Sequence, residues 1–278
     1  MTIRLVTDST CDLPQSIVAE YGISVIPLII TADTSELRDG VDISRGEFYA
    51  RLPDFRHSPK TAAPGPGHFR WVYEGLAAEG ADEILSIHIS HTLSATIDSA
   101  RQAAAETTAA SVTAFDSRQL SLGTGFEVLT AAEAAREGRT LPEILDLLDG
   151  QIRHTRVFAA LDTLEYMRRG GRMNGAITAM GNLLQIKPIL KMYDGDASAE
   201  RARTRGGAMR RLRALVAEHA PYKRAAILHS GVAERAKEAL HQLEDLLPTG
   251  EIWMEEINPV LGAHIGPGVI GFAGISDE

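Results

Sequence analysis

The sequence predicts an α/β protein with two domains, the first built on a parallel sheet and the second on a mixed sheet. Over residues 1–160 of the 278-residue chain, short β-branched runs alternate with amphipathic stretches, which is the pattern of βαβ units. Beyond about residue 155 the rhythm changes, and two extended runs flank the turn Asp194-Gly195-Asp196, which predicts an antiparallel hairpin. We therefore expect a parallel-sheet domain over residues 1–155 and a mixed-sheet domain over residues 156–278, with a ligand in the cleft between them.

Ten extended runs, rich in β-branched or apolar residues and bounded by turn residues, are expected to form strands. They are Thr2–Thr7, Ser24–Ile30, Glu83–His88, Ser111–Phe115, Arg156–Leu161, Gln185–Tyr193, Ala197–Arg203, Ala225–His229, Glu251–Ile257 and Val269–Ala273.

Three capping-box patterns, in which a small polar residue precedes Glu or Gln by three positions, predict helix starts. They are Asp12-x-x-Gln15, Ser44-x-x-Glu47 and Thr140-x-x-Glu143. The last introduces an apolar stripe from Leu141 to Ile152, typical of a helix packed on a sheet. Two further helices are expected at about 207–219 and 232–247. The Pro and Gly residues of His57–His68 predict a loop without helix or strand.

Composition excludes several classes of protein. The formal net charge of −9 argues against a surface that holds a nucleic acid backbone, so no nucleic acid partner is expected. The single cysteine, Cys11, excludes an internal disulfide framework and a Cys-rich zinc site. No signal peptide and no apolar run long enough to form a transmembrane segment are visible, so we expect a cytoplasmic protein.

Polar side chains follow the predicted strands at the points where the strands end. Asp8 and Ser9 follow the first strand, Ser90–Ser94 the third, Asp116 and Ser117 the fourth, and Asp162 the fifth. Because ligands bind beyond the carboxyl ends of parallel strands, these side chains predict a binding crevice at one edge. The alternative is that each of them only caps the helix that follows.

Four residues are candidates for holding an anionic group. Ser94 precedes a predicted helix, whose free N–H groups and dipole favour an anion. Thr61 offers a second hydroxyl from the Pro/Gly-rich loop, and Arg172 follows a Gly-Gly turn. His264 lies in a Gly- and Pro-rich stretch, so we do not expect it to be a core residue of a helix face. Apolar runs such as Leu183-Leu184-Gln185-Ile186 and Ile189-Leu190 lie beside this polar crevice.

The sequence contains no complete P-loop, nucleophile-elbow, zincin or dinucleotide-binding motif. His88 and His91 are three residues apart and have no acidic or cysteine partner in register, so no metal site is expected.

Seven segments, in order along the whole chain, resemble the DegV family of bacterial fatty-acid-binding proteins. The resemblance implies a two-domain α/β protein that buries one long-chain fatty acid between its domains. It also implies that a separate fatty acid kinase phosphorylates the acyl carboxylate for phospholipid synthesis, with no cofactor and no turnover by this chain alone. The segments are Thr7–Leu13, Lys60-Thr61 with Pro64, Ser90–Ala100, Asp116-Ser117 with Gly123 and Gly125, Leu164–Arg172, Lys187–Leu190 and His264–Gly268.

The resemblance also implies roles for individual residues. Thr61 and Ser94 resemble the two hydroxyls that hydrogen-bond the carboxylate, and Arg172 and His264 the basic residues near the headgroup. The chain departs from the family at Thr92 and Ala95, where the family usually has Gly, and at His91, where it usually has Ser. It also departs at Ala62-Ala63, where the family usually has Ser-Gln. The candidate ligand-binding residues are Thr61, Ser94, Arg172, His264, Asp8, Ser9, Ala95 and Ser117.

Two other functions use the same residues. An acyl hydrolase would take Ser94 as nucleophile, His264 as base and Asp116 as the residue that orients the base, but the sequence lacks a nucleophile elbow. A phosphate- or nucleotide-binding domain would use the helix that follows Ser94, but the sequence lacks a glycine-rich phosphate cradle.

Overall fold

The computed structural model describes residues 2–173 and 186–277. Thirteen strands lie in these two ranges. They are β1 (Ile3–Asp8), β2 (Ser24–Ile26), β3 (Ile29–Ala32), β4 (Ser35–Arg38), β5 (Lys60–Ala62), β6 (Glu83–His88), β7 (Ser111–Asp116), β8 (Thr155–Ala160), β9 (Lys187–Tyr193), β10 (Asp196–Ala202), β11 (Tyr222–His229), β12 (Trp253–Glu256) and β13 (Ile270–Ser276).

Ten α-helices lie in the same ranges. They are α1 (Gln15–Tyr21), α2 (Arg45–Arg51), α3 (Pro66–Ala78), α4 (Thr96–Glu106), α5 (Leu122–Arg136), α6 (Leu141–Ile152), α7 (Glu165–Gly170), α8 (Arg205–Glu218), α9 (Ala233–Leu243) and α10 (Pro259–Ile265).

The first sheet is parallel, with the strand order β2-β1-β6-β7. Its strands alternate with helices along the chain, as in βαβ units. The predicted strand Glu83–His88 matches β6, and those at Thr2–Thr7 and Ser111–Phe115 are confirmed to within one residue at either end. The parallel sheet is therefore confirmed.

The second sheet is mixed, with the order β10-β9-β8-β13-β11-β12. β11 and β12 are parallel, and the other neighbours are antiparallel. The predicted hairpin is confirmed as β9 and β10, joined at Asp194 and Gly195, which both have positive φ as a tight hairpin turn requires. Gln185, the first residue predicted for this hairpin, lies outside the described residues.

The prediction of one strand over Ser24–Ile30 is wrong. The run divides at Pro27, which has no N–H to donate to a ladder. β2 remains in the parallel sheet, whereas β3 joins a third, antiparallel sheet of order β4-β3-β5. β2 has three residues and β3 has four, so neither is long enough for its own sequence pattern to show that the two strands belong to different sheets.

The prediction that His57–His68 contains neither helix nor strand is also wrong. Lys60–Ala62 form β5, which pairs with β3. Pro66 begins α3 after Gly65, because a proline at the first helical position gives up only an N–H that would be unpaired there. Thr61 therefore lies on a strand and not in a loop.

Two of the three predicted capping boxes are confirmed. Ser44 with Glu47 and Thr140 with Glu143 make both reciprocal bonds at the starts of α2 and α6. The box predicted at Asp12 is wrong, because α1 begins after Pro14 and without a side-chain cap. Asp12 is instead fully buried and accepts hydrogen bonds from Ser121 and Asn258.

The core continues from the parallel sheet into the mixed sheet. One apolar cluster joins Leu5 and Ile87 of the first sheet to Val157, Ala226 and Ala273 of the second. The core shared by the two sheets does not mark where one domain ends and the next begins. The domain boundary between residues 155 and 156 therefore stays a prediction. Within residues 2–173 and 186–277, none of the helices has the length and apolar character needed to cross a bilayer.

Candidate functional site

A cavity of about 510 Å³ lies between the parallel and mixed sheets. Its volume is in the range of pockets that hold small-molecule ligands. Four of the eight candidate residues line it, namely Thr61, Ser94, Arg172 and His264. Much of the rest of its wall is apolar, including Ile89, Leu120, Phe158, Leu190, Met192, Leu228 and Val260.

The expected apolar runs take different positions. Leu190 lines the cavity, whereas Ile189 lies in a separate core cluster behind the mixed sheet. The two residues alternate in direction along β9, as neighbours on a strand do. Leu183, Leu184 and Gln185 lie outside the described residues. Ile186 is described but is not among the residues that line the cavity.

Thr61 and His264 form a hydrogen-bonded pair at the cavity wall. The distance from Thr61 Oγ1 to His264 Nε2 is 2.7 Å. Pairing of Thr61 with Ile30 in the third sheet holds the hydroxyl, and α10 holds the imidazole. This joins two residues that are 203 positions apart in the sequence into one polar group.

The expectation that His264 is not a helix-face residue is wrong. It lies in the last turn of α10 and is 8% exposed. Burial, with a further contribution from the Arg172 guanidinium, lowers the pKa of His264 from 6.5 to about 4. The imidazole is therefore neutral at neutral pH.

Arg172 follows the Gly-Gly turn as the sequence predicts. α7 ends at Gly170, and Gly171 takes a left-handed conformation with φ of 70°. The exposed Arg172 side chain donates from Nη1 to the Gly170 carbonyl at 2.9 Å. The site thus has a solvent-facing cation beside a neutral imidazole.

Ser94 lies two residues before the first residue of α4. Its Oγ accepts from the Thr96 N–H at 3.3 Å and lies 2.8 Å from Thr96 Oγ1. The Ser94 hydroxyl therefore bonds the first residue of α4 and also lines the cavity, while the N-cap position itself belongs to Ala95. Ala95, at the N-cap of α4, is exposed and is not among the described residues that line the cavity.

Asp8 lies in a buried hydrogen-bonded chain instead of at the cavity. Its Oδ2 accepts from His88 Nδ1 at 2.9 Å, His88 Nε2 lies 2.6 Å from Ser86 Oγ, and the Tyr73 hydroxyl donates to Ser86. Burial raises the pKa of Asp8, but hydrogen bonds from His88 and Thr10 outweigh it and the net shift is downward. All four of these hydrogen-bonded residues are fully buried. Their bonds therefore join β1, β6 and α3.

Ser9 and Ser117 also make structural bonds. Ser9 Oγ accepts from the Leu28 N–H at 3.1 Å, directly after the break at Pro27. Ser117 is fully buried and bonds Gln119 and Thr124 at the start of α5. Like Asp8, neither residue is among the described residues of the cavity wall.

The residues of the predicted hydrolase do not come together in the described structure. His264 bonds Thr61, and Ser94 bonds Thr96. Asp116 accepts from His91 Nδ1 at 2.5 Å. A serine nucleophile requires a hydrogen-bonded base, and the Ser94–His264–Asp116 chain lacks this arrangement. Asp162, expected at the same sheet edge, follows β8 of the mixed sheet and pairs with Arg205 and Lys187.

The tip of the β9–β10 hairpin is a part of the site that the sequence did not reveal. The Gly195 carbonyl accepts from Thr92 at 2.9 Å, and Asp194 pairs with Arg118 at 2.9 Å. These contacts dock the tip on the loops after β6 and β7, where Gly195 and Thr92 both line the cavity. The turn pattern predicted the hairpin but carried no signal for its docking.

The fold and the cavity define an α/β protein that encloses an apolar cavity, with a polar group in its wall, between a parallel and a mixed sheet. A family model described as "Uncharacterised protein, DegV family" matches residues 2–277. The chain belongs to the DegV family.

Individual relatives match over almost the full chain. A DegV domain-containing protein from Deinococcus radiodurans is 35% identical, with 98% of each chain covered. A solved structure of a DegV family protein from Thermus thermophilus, described as fatty acid binding, is 36% identical with a TM-score of 0.89 and full coverage of both chains. DegV from Bacillus subtilis, described as a fatty acid binding protein, is 30% identical with a TM-score of 0.91, again over both full chains.

Proposed function

We propose that this protein binds one long-chain fatty acid, with the acyl chain in the cavity and the carboxylate at the hydroxyls of Thr61 and Ser94. The observation that carries the proposal is the Thr61–His264 pair in the wall of a 510 Å³ cavity whose lining is largely apolar. The fatty acid binding described for the relatives from Thermus thermophilus and Bacillus subtilis supports it.

Burial of the acyl chain supplies most of the binding free energy in this proposal. About 14 methylenes at roughly 0.8 kcal/mol each correspond to on the order of 11 kcal/mol. A buried carboxylate without partners would cancel several kcal/mol of that. Hydroxyl donors from Thr61 and Ser94, with the cation of Arg172 nearby, reduce this cost.

We propose further that the carboxylate is presented to a separate fatty acid kinase and that this chain alone performs no turnover. Arg172 is exposed while much of the cavity wall is apolar, so the headgroup end has a cation that a partner can reach. The described contacts of Ser94 and His264 leave no base on the serine, which favours a carrier over a hydrolase.

Lipid analysis tests the binding proposal directly. Protein purified from a bacterial host should release about one long-chain fatty acid per chain on denaturation and solvent extraction, as measured by mass spectrometry. After lipid removal, Ser94→Ala and Thr61→Ala should each weaken fatty acid binding by about 1–3 kcal/mol, because a carboxylate loses one donor. The double variant should lose less than the sum, since both hydroxyls bind the same group.

The matched control is Ser111→Ala, which removes an exposed hydroxyl at the start of β7. It should leave the affinity unchanged, and circular dichroism should show that all variants fold. Unchanged affinity in both Thr61→Ala and Ser94→Ala would contradict the headgroup site.

Kinase presentation and hydrolysis have separate tests. With ATP and a bacterial fatty acid kinase, the loaded protein should yield acyl phosphate, and Arg172→Ala should reduce this yield more than it reduces fatty acid affinity. Without the kinase, a p-nitrophenyl ester should show no saturable hydrolysis. Hydrolysis that disappears in Ser94→Ala would establish the hydrolase instead.

A further inference from the structure

Helices α7 and α10 approach so closely that Gly170 has no room for a side chain. A Cβ atom built on Gly170 would overlap His264 Nδ1 and lie 3.0 Å from Cε1 and 3.4 Å from Cγ of the same ring. Contacts of 3.0 Å or less at a Cβ require the neighbour to move. The imidazole of His264 therefore lies directly over the bare Cα of Gly170.

The other edge of the imidazole faces Thr61. Since Nε2 is 2.7 Å from Thr61 Oγ1, the ring is held between Gly170 on one side and the hydroxyl on the other. The Gly170 carbonyl also accepts from Arg172 Nη1 at 2.9 Å. One glycine thus contacts both basic groups of the site.

This placement favours the tautomer of His264 that carries the hydrogen on Nε2. His264 Nδ1 is buried and has no hydrogen-bond partner among the described residues. A hydrogen on Nδ1 would be a buried donor without an acceptor, and such donors are rare. With the hydrogen on Nε2, the ring donates to Thr61 Oγ1, and the Thr61 hydroxyl hydrogen remains available for an anion.

We propose that Gly170 is a positioning residue of the headgroup site: its missing side chain holds His264 as the Nε2–H tautomer against Thr61, so that the Thr61 hydroxyl donates to the carboxylate. This inference rests on the proposed function. Gly170 does not contact the ligand in this proposal and acts only through His264.

The primary test compares two glycines that lie in helices. Gly170→Ala should weaken fatty acid binding by about tenfold or more, because the displaced ring no longer bonds Thr61. The matched control is Gly150→Ala in α6, which is not among the described residues of the cavity wall. A Cβ at Gly150 would have no atom within 4 Å. Gly150→Ala should therefore leave the affinity unchanged.

If Gly170→Ala is poorly folded, the same substitution made in the His264→Ala variant keeps the test informative. In His264→Ala the ring is gone, so Gly170→Ala should cause little further loss of affinity or stability. The double variant should be more stable than Gly170→Ala alone, because the clash is removed. A role for Gly170 that does not act through His264 predicts equal losses in both backgrounds.

Nitrogen-15 NMR of the ligand-free protein provides a readout independent of lipid. Wild type and Gly150→Ala should show the His264 Nε2–H tautomer, and Gly170→Ala should lose that signature. Retention of both the signature and the affinity in Gly170→Ala would overturn the inference, as would a wild-type ring protonated on Nδ1. Failure of the proposed function would appear separately, as absent fatty acid binding in a wild type that keeps the Nε2–H signature.

Discussion

His264 is buried beside a cation, and this makes the stability of the protein depend on pH. Burial, together with Arg172, lowers the pKa of His264 from 6.5 to about 4. Between these values the unfolded chain binds a proton at this residue and the folded chain does not, so stability is lost as the pH falls through this window. We predict that the free energy of unfolding of the ligand-free protein falls from pH 6.5 to 4 and that His264→Gln falls less steeply. Urea denaturation across this range measures both, and parallel curves would contradict the prediction.

Glu127 is a fully buried carboxyl group in α5, and neither of its oxygens has a hydrogen-bond partner among the described residues. Burial raises the pKa of Glu127 well above its usual value, and the charge of Asp116 adds to this effect. The folded chain therefore holds the proton on Glu127 more tightly than the unfolded chain does, so the contribution of this group to stability falls as the pH rises above about 4.3.

We therefore predict that Glu127→Met stabilises the protein at pH 7 by about 1–3 kcal/mol, with a smaller gain at pH 4. Chemical denaturation at the two pH values measures the difference. Glu137→Met, at the C-terminal end of the same helix, is the control and should change stability little. A loss of stability in Glu127→Met at pH 7 would show that the carboxylate has an ionic role.

Asp12, which is buried near the start of α10, shows why the roles of single residues were only partly predictable. Its spacing to Gln15 matches a capping box, yet its carboxylate accepts from the Asn258 N–H at 2.9 Å and lies 3.3 Å from Arg45. Asn258 in turn caps α10, which carries His264. A local pattern cannot distinguish a cap from such a contact, because the competing partner is 246 positions away.

At the scale of elements, the confirmed predictions rest on interactions within one segment. The capping boxes of α2 and α6 and the Asp194-Gly195 turn depend on residues at most three positions apart. The failed prediction of one strand over Ser24–Ile30 concerns the sheet to which a segment belongs. β2 and β3 are separated by two residues, yet they lie in different sheets because their pairing partners differ.

Gly125 illustrates helix packing that the sequence alone could not interpret. A Cβ at this position in α5 would overlap the Cys11 carbonyl and lie 3.1 Å from Leu122 and 3.2 Å from Leu13. We predict that Gly125→Ala destabilises the protein by about 1–3 kcal/mol, because a packed backbone must move.

The control for Gly125 is Gly150→Ala in α6, where a Cβ would have no atom within 4 Å. Alanine favours the helix there and should stabilise the protein by up to about 1 kcal/mol. Thermal unfolding of both variants measures the contrast, and equal effects of the two substitutions would contradict the packing assignment.

At the scale of the whole molecule, the cavity couples ligand binding to stability. Its wall contains Ile89 from the segment after β6, Phe158 from the mixed sheet and Leu28 from the segment before β3. Because unfolding destroys this wall, a ligand that binds only the folded chain must stabilise it.

We predict that palmitate or oleate at a hundredfold excess over its dissociation constant stabilises the delipidated protein by about 2.7 kcal/mol. Calorimetric melting with and without the fatty acid measures the shift. The Thr61→Ala/Ser94→Ala double variant at the same concentration should shift less. A melting temperature that does not respond to either fatty acid would contradict the proposed binding.

By itself the sequence determined the α/β class, the parallel sheet, the β9–β10 hairpin and the presence of hydroxyl and basic candidates, because period, turn and capping signals act over a few residues. Only the tertiary structure decided that Thr61 bonds His264, a residue 203 positions away, and that Asp8 and Ser117 are buried away from the cavity. It also decided that β3 belongs to the third sheet and not to the parallel sheet, and that the hairpin tip accepts a hydrogen bond from Thr92. These outcomes depend on which apolar faces pack together, and that choice is made by the whole core and not by any one segment.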